Sequence, residues 1–224
     1  MPEEEHVQIH PIPLRLSNAY LIQAGQQSLL VDAGSPGDSS RILATLANIG
    51  VQKLDWIILT HAHFDHVGSA AQLRRVTNAR VLIQEQDVPS LLNGKSELGE
   101  VRGRGRLSAW LLPLAERLFP VEPIEPDAVF SDRFHLPDLN ITITTIHTPG
   151  HTLGSSILLV NESHLFAGDL VSTTGAAHPQ RYYAQDWSAL ERSLHFIQEL
   201  RPAKTFPGHG AKPIHLEALL QLSI

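Results

Sequence analysis

The stretch that most constrains this chain is residues 55–68, DWIILTHAHFDHVG. Its first half is a short apolar run of the kind that fills a strand buried on both faces. Its second half places His61, His63, Asp65 and His66 within six positions. Polar side chains at the mouth of a core strand cost free energy unless something satisfies them. In an extended segment residues two apart share a side, so His61 and His63 aim two imidazoles at one point. Asp65 and His66 come where the chain turns toward a helix predicted over VGSAAQLRRV, and they face a second point nearby. Imidazole nitrogen and carboxylate oxygen are the donors that zinc and other first-row divalent metals take.

The remaining sequence predicts a scaffold for that cluster. VQIHPIPL, NAYLIQAG and SLLVDAG read as strands. Asp38 is placed to cap a helix over SSRILATLANIG, where Ile42, Leu46 and Ile49 form one stripe and Gly50 ends it. A strand follows at RVLIQ. Later strands are predicted at AVFSDRFHL, NITITTIHT, GSSILLV and HLFAGDL, then a helix at WSALERSLHFIQEL, a strand and turn at KTFPGHG, and a short last helix. Strands and helices interleave in two successive halves, which suits an α/β sandwich with sheets inside and helices outside. Three turns repeat the design of the first cluster. TPGHTLG, FAGDL and FPGHG each follow an apolar strand and carry one metal-type residue, His151, Asp169 and His209. Loops at strand ends on a rigid scaffold are common mounts for functional groups.

Composition sets the bounds. The 224 residues are read as a single domain over 1–224. A net charge of −6 argues against a nucleic-acid partner. There is no cysteine, hence no disulfide, thiolate nucleophile or sulfur-based metal site. No apolar run reaches the ~18 residues of a membrane span, and the acidic start MPEEEHVQIH is unlike a secretory signal. A cytoplasmic protein acting on a small molecule, with no membrane partner, is the expectation; a homodimer stays open.

These motifs carry a resemblance. The chain resembles the metallo-β-lactamase-fold hydrolases, most closely their glyoxalase II-like and lactonase-like branches. The family pattern H-x-H-x-D-H is matched by His61, His63, Asp65 and His66, and the later His, Asp and His by His151, Asp169 and His209. The resemblance spans roughly residues 20–212. It implies a four-layer αββα sandwich with a site for two divalent ions, zinc first, with iron or manganese as alternatives. It assigns His61, His63 and His151 to one ion, Asp65, His66 and His209 to the other, and Asp169 to both. It also implies that Asp32, in LLVDAG, supports the motif loop from behind; by itself Asp32 reads equally well as a turn residue at a strand end. The implied chemistry is hydrolysis of an ester-type bond, thioester or lactone, by a metal-bridged hydroxide, with Asp65 and Asp169 as the catalytic carboxylates. The alternative on the same fold is a persulfide dioxygenase with one iron on His61, His151 and Asp169; a third reading is a non-catalytic binding protein.

Branch-specific features are absent. The chain runs 15 residues past His209, which leaves no room for the helical glutathione-binding domain of the glyoxalase II-like branch. Lactonases carry a tyrosine three residues after the bridging aspartate, where this chain has Ser172. Tyr182 and Tyr183, in HPQRYYAQD, are candidate substitutes. Residues 88–126 form a longer connection than the family core needs. Leu107, Trp110, Leu111, Leu114, Leu118 and Phe119 are spaced for one apolar helix face, after Arg102, Arg104 and Arg106 on glycine hinges. This segment reads either as a lid over an acyl chain, with Trp110 touching substrate and the arginines meeting an anionic tail, or as an apolar face packed on the core.

Overall fold

Apolar side chains alternate between two buried faces along each central strand, and that alternation makes the layers. The structure is a computed structural model that describes residues 7–137 and 141–224; residues 1–6, His6 among them, and 138–140 lie outside it. In the first sheet Leu30, Ile57, Val81 and Ile83 face outward, into a core shared with Ile42, Leu46, Leu73 and Leu91 of the covering helices. Leu29, Val31, Ile58 and Leu82 face inward, where they meet Leu158, Val160, Phe166 and Phe206 of the second sheet. On the far side of that sheet Ile157, Leu159 and Leu165 pack on Leu190, Leu194 and Ile197 of the helix Trp187–Glu199. Three cores between four layers give the αββα sandwich.

The first sheet has six strands, in the order Gln8–Pro13, Asn18–Ala24, Gln27–Val31, Trp56–Ile58, Arg80–Gln84 and Ala128–Phe130. The second also has six, in the order Ile214–His215, Lys204–Phe206, His164–Phe166, Ser156–Val160, Ile143–His147 and Arg133–His135. AVFSDRFHL therefore divides: its first strand closes one sheet and its second opens the other. Ile143–His147 is antiparallel to Ser156–Val160, which is antiparallel to His164–Phe166, which runs parallel to Lys204–Phe206. The turns bearing His151, Asp169 and His209 thus leave the second sheet at one edge.

Contacts between the sheets fix that edge. Tyr20 packs edge-on to Phe166 and Phe206, at 5.2 and 5.5 Å between ring centroids, and its hydroxyl donates to Pro207 O at 2.6 Å. Such aromatic pairs add about 0.5–1.5 kcal/mol each beyond their burial. Asn18 donates to Gly208 O from its backbone and to Gly210 O from its side chain, at 2.7 and 2.6 Å. The turn that carries His209 is held by the other sheet.

Two local expectations change. Gly50 does end the helix Ser39–Ile49, in a left-handed conformation at φ 82°. Asp38 does not cap its start: the carboxylate accepts from Ser35 N and Arg15 Nε instead, both at 2.9 Å. Residues 88–126 contain the helices Val88–Asn93 and Gly105–Leu118 and a short strand, Glu100–Val101, paired with Tyr183–Ala184. No residue of Gly105–Leu118 joins any of the three cores. Trp110 is 77% exposed, so the core-packing reading of this helix does not hold. Among the described residues no helix is long and apolar enough to cross a membrane.

This burial contrast sets a stability test. Trp56 is 3% exposed, between the sheets. We expect Trp56→Ala to cost about 3–5 kcal/mol in denaturant unfolding and Trp110→Ala to stay within about 0.5 kcal/mol of the parent. Equal losses would contradict the layer assignment.

Candidate metal centre

The motif loop bends at Thr60, is extended at His63 and then turns into the short helix Phe64–Val67. Before the helix it sends His61 and His63 to one side, with ring centroids 4.7 Å apart. The helical part carries Asp65 and His66 alongside. His151 arrives from the second sheet, its Nε2 2.9 Å from His63 Nδ1 and its ring 4.8 Å from that of His61. His209 arrives from the last strand of the same edge, its Nε2 3.4 Å from His66 Nε2 and 3.5 Å from Asp65 Oδ2. His61, His63 and His151 form one group of donors that could hold an ion, and Asp65, His66 and His209 form another. A third group, His61, His66 and Asp169, overlaps both.

Asp169 lies between the groups. One carboxylate oxygen is 3.2 Å from His66 Nε2 and 3.1 Å from His209 Nε2, and the other is 3.3 Å from His151 Nε2. Gly208 makes room for it, since a Cβ there would meet Asp169 Oδ1 at 2.5 Å.

Each imidazole is tied from outside through its other nitrogen. His61 Nδ1 meets Thr60 Oγ1 at 3.1 Å, and His66 Nδ1 meets Asp32 Oδ2 at 2.8 Å. The remaining three use backbone carbonyls: Glu97 for His63, Tyr183 for His151 and Leu16 for His209, at 3.1, 3.1 and 2.8 Å. Outer bonds of this kind fix tautomer and ring orientation in metal-binding histidines. The inner nitrogens converge. Among the described residues, His61 Nε2 is buried and has no hydrogen-bond partner. A buried orphan nitrogen in a ring of such donors is the chemistry a cation satisfies.

The electrostatics are divided in the same way. Burial, with His66, His63 and His151 nearby, holds His61 well below the usual imidazole range. Burial, then His63, pushes His151 down to about 3. Burial also opposes charge on His209, but Asp169 and Asp65 outweigh it and raise this imidazole to about 9. His66 is likewise raised, by Asp32, Asp169 and Asp65 against its burial. Asp169 is held well below the carboxylate range because His209 and His66 outweigh its burial.

Asp32 lies behind the motif loop. It adopts φ 60°, unusual for a residue with a side chain. Its carboxylate accepts from Thr60 N at 2.8 Å and from Thr60 Oγ1, besides facing His66. Asp87 was not foreseen. It is 4% exposed and accepts from Ala62 N at 2.7 Å, Thr152 Oγ1 at 2.9 Å and Gly154 N at 2.9 Å. One carboxylate thereby joins the loop between His61 and His63 to the loop that carries His151. In sequence it reads as a polar residue before the helix VPSLL, and nothing local marks it.

A cavity of about 480 Å³ opens onto the cluster, lined by His63, Asp65, His151, Asp169 and His209 at one end. Ser108, Leu111, Leu112 and Ala115 of the helix Gly105–Leu118 line it as well. Tyr183 lines the cavity and its hydroxyl bonds Ser108 Oγ. Tyr182 and Trp110 are not among the lining residues. Arg102 lies over the Trp187 ring at 4.0 Å and pairs with Glu100, and Arg104 and Arg106 point to solvent.

Known proteins resemble the chain over most of its length. The model of the metallo-beta-lactamase superfamily matches residues 12–209. A protein described as probable metallo-hydrolase MJ0888, of Methanocaldococcus jannaschii, is 30% identical over 197 residues, 87% of each chain. An atrochrysone carboxyl ACP thioesterase of Aspergillus fumigatus is 27% identical over 94% of this chain but only 41% of its own length. Among solved structures, BLEG-1 B3 metallo-beta-lactamase superposes with a TM-score of 0.73 at 25% identity, covering 94% of this chain and 95% of its own.

Asp87 supplies the test of this geometry. Asp87→Ala leaves two buried N–H donors unpaired, and we expect a loss of about 3 kcal/mol or more in urea unfolding. Thr152→Val, which removes one bond of the three, is expected to cost about 1 kcal/mol.

Proposed function

The chain belongs to the metallo-β-lactamase superfamily, and from that premise we propose that it is a hydrolase holding two divalent ions, zinc by the character of the donors. His61, His63 and His151 would take one ion and Asp65, His66 and His209 the other, with Asp169 shared. The observation that carries this reading is the Asp169 carboxylate, within 3.3 Å of imidazole nitrogens from both groups. Bound there, such ions lower the pKa of a coordinated water to about 7 and polarise a substrate carbonyl. The chain's own part is positional. Five imidazoles are aimed by their outer bonds, so little reorganisation accompanies binding. Asp65 and Asp169 line the cavity and are the carboxylates placed to move a proton at the scissile bond.

The bond cut is an ester-type bond of a small molecule, thioester or lactone. The thioesterase named above favours a thioester, and the apolar side chains that share the cavity with the donors suit an acyl group. Metal analysis of protein purified without added metal is the first test, and we expect two zinc-like ions per chain. One iron per chain with oxygen consumption would replace hydrolysis by the dioxygenase reading. Asp169→Ala should lower metal content and cut turnover by orders of magnitude while the fold survives. His10→Ala and His195→Ala should leave metal content at the parental level, since His10 bonds Gln23 on an edge strand and His195 is exposed on the outer helix.

The raised His209 adds a pH dependence. In the metal-free protein this imidazole keeps its proton up to about pH 9. Metal binding at its Nε2 must displace that proton. His66, raised as well, must lose a proton at the same ion, so affinity of the ion at Asp65, His66 and His209 should rise at least tenfold per pH unit from near neutral toward pH 9, in a chelator-competition titration. A flat profile would remove His209 from the ligand set.

A further inference from the structure

We propose that the cavity beneath the helix Gly105–Leu118 is a binding site for an uncharged, medium-length acyl chain, so that the protein selects its substrate by the apolar tail. This rests on the hydrolase reading for the position of the reacting bond, but not for the binding itself. Ser108, Leu111, Leu112 and Ala115 are spaced i, i+3, i+4 and i+7, a single helix face. At 1.5 Å per residue they make a wall about 10 Å long. Leu98, Phe64 and Leu16 continue the apolar lining around it. Among the described residues, every charged or titratable side chain in the lining other than Tyr183 belongs to the donor cluster, and no lysine, arginine or glutamate lines the cavity. A bond to be cut at the donors therefore leaves its apolar substituent against the helix, and a charged tail meets no counter-ion. The arginines 102, 104 and 106, first read as partners for an anionic tail, lie off this surface.

The helix is placed across the cavity by its ends. Ser108 Oγ bonds Tyr183 OH near its start, and Glu116 accepts from Ser96 N at 2.8 Å near its end. Leu111 both lines the cavity and is 43% exposed, so it forms the lip over which a longer chain would leave.

The test is a series of p-nitrophenyl esters from acetyl to octanoyl, with calorimetric binding of octanoate and acetate alongside. Wild-type kcat/KM should rise up to about fourfold per methylene until the wall is covered, and octanoate should bind at least tenfold tighter than acetate. Ala115→Trp fills the cavity and should lower the octanoyl-to-acetyl ratio, and the octanoate-to-acetate ratio, at least tenfold. Leu112→Asn, on the same half-buried face, replaces it if circular dichroism shows the tryptophan variant misfolded. Hydrolysis without chain-length preference overturns the tail site and leaves the hydrolase reading standing. Chain-length-dependent binding that Ala115→Trp abolishes, with no ester hydrolysed, upholds the tail site and removes the hydrolase reading. Ratios unchanged in a folded variant end the proposal.

Discussion

The carboxylate of Asp32 is the constraint on which the rest of the site depends. It stands at the end of the strand Gln27–Val31, in a backbone conformation that costs an ordinary side chain free energy. That conformation turns both oxygens toward the neighbouring loop. There they accept from the backbone and hydroxyl of Thr60 and face His66 Nδ1. Thr60 in turn meets His61 Nδ1, and its carbonyl accepts from Ser156 of the second sheet at 2.9 Å. One strained residue thus sets the direction of two imidazoles and links them to both sheets. The charge is also accounted for: His66 is pushed toward its protonated form first by Asp32, so the carboxylate is not left buried and uncompensated.

The same logic explains why the donors come from four separate turns. An ion held by one loop would move with it. Here the motif loop belongs to the first sheet, His151, Asp169 and His209 belong to the second, and direct bonds cross between them. Asp87 ties the motif loop to the His151 loop, and Asn18 and Tyr20 tie the first sheet to the turn before His209. The apolar cores supply the bulk of the stability, but they are indifferent to rotations of a few degrees at the strand ends. The directional bonds remove that freedom.

The parts of this arrangement legible in the sequence are those whose cause is local. Alternation in SLLV and SILLV gave the strands and their two buried faces, and the spacing of His61, His63, Asp65 and His66 gave four of the seven candidate donors. His151, Asp169 and His209 were legible because each repeats a strand and a turn. Asp87 was not, because its three partners lie at positions 62, 152 and 154, and only the fold brings them to it. Asp38 was misread for a related reason: a capping pattern was present, but Ser35 and Arg15 compete for the same carboxylate. For the helix Gly105–Leu118 the period was right and the environment was open. Leu107, Trp110, Leu111, Leu114 and Leu118 do share one face, but spacing alone could not say whether that face meets protein or solvent. The structure turns Ser108, Leu111, Leu112 and Ala115 to the cavity and leaves Trp110 and Leu107 outside.

That placement separates what holds the site from what fills it. The candidate donors are fixed by both sheets and by buried carboxylates, so in the proposed reading substitutions there would cost stability, bound metal or both. The helix that closes the cavity contributes no side chain to any core. Its residues can change size with little effect on the sandwich, while each change alters the space next to the donors. Function of this kind, grafted on a fold by a peripheral segment, is free to diverge without the scaffold moving. Leu107, Trp110, Leu114 and Leu118 stand in solvent, outside all three cores, so the helix is joined to the sandwich by the face it turns inward and by the bonds at its two ends.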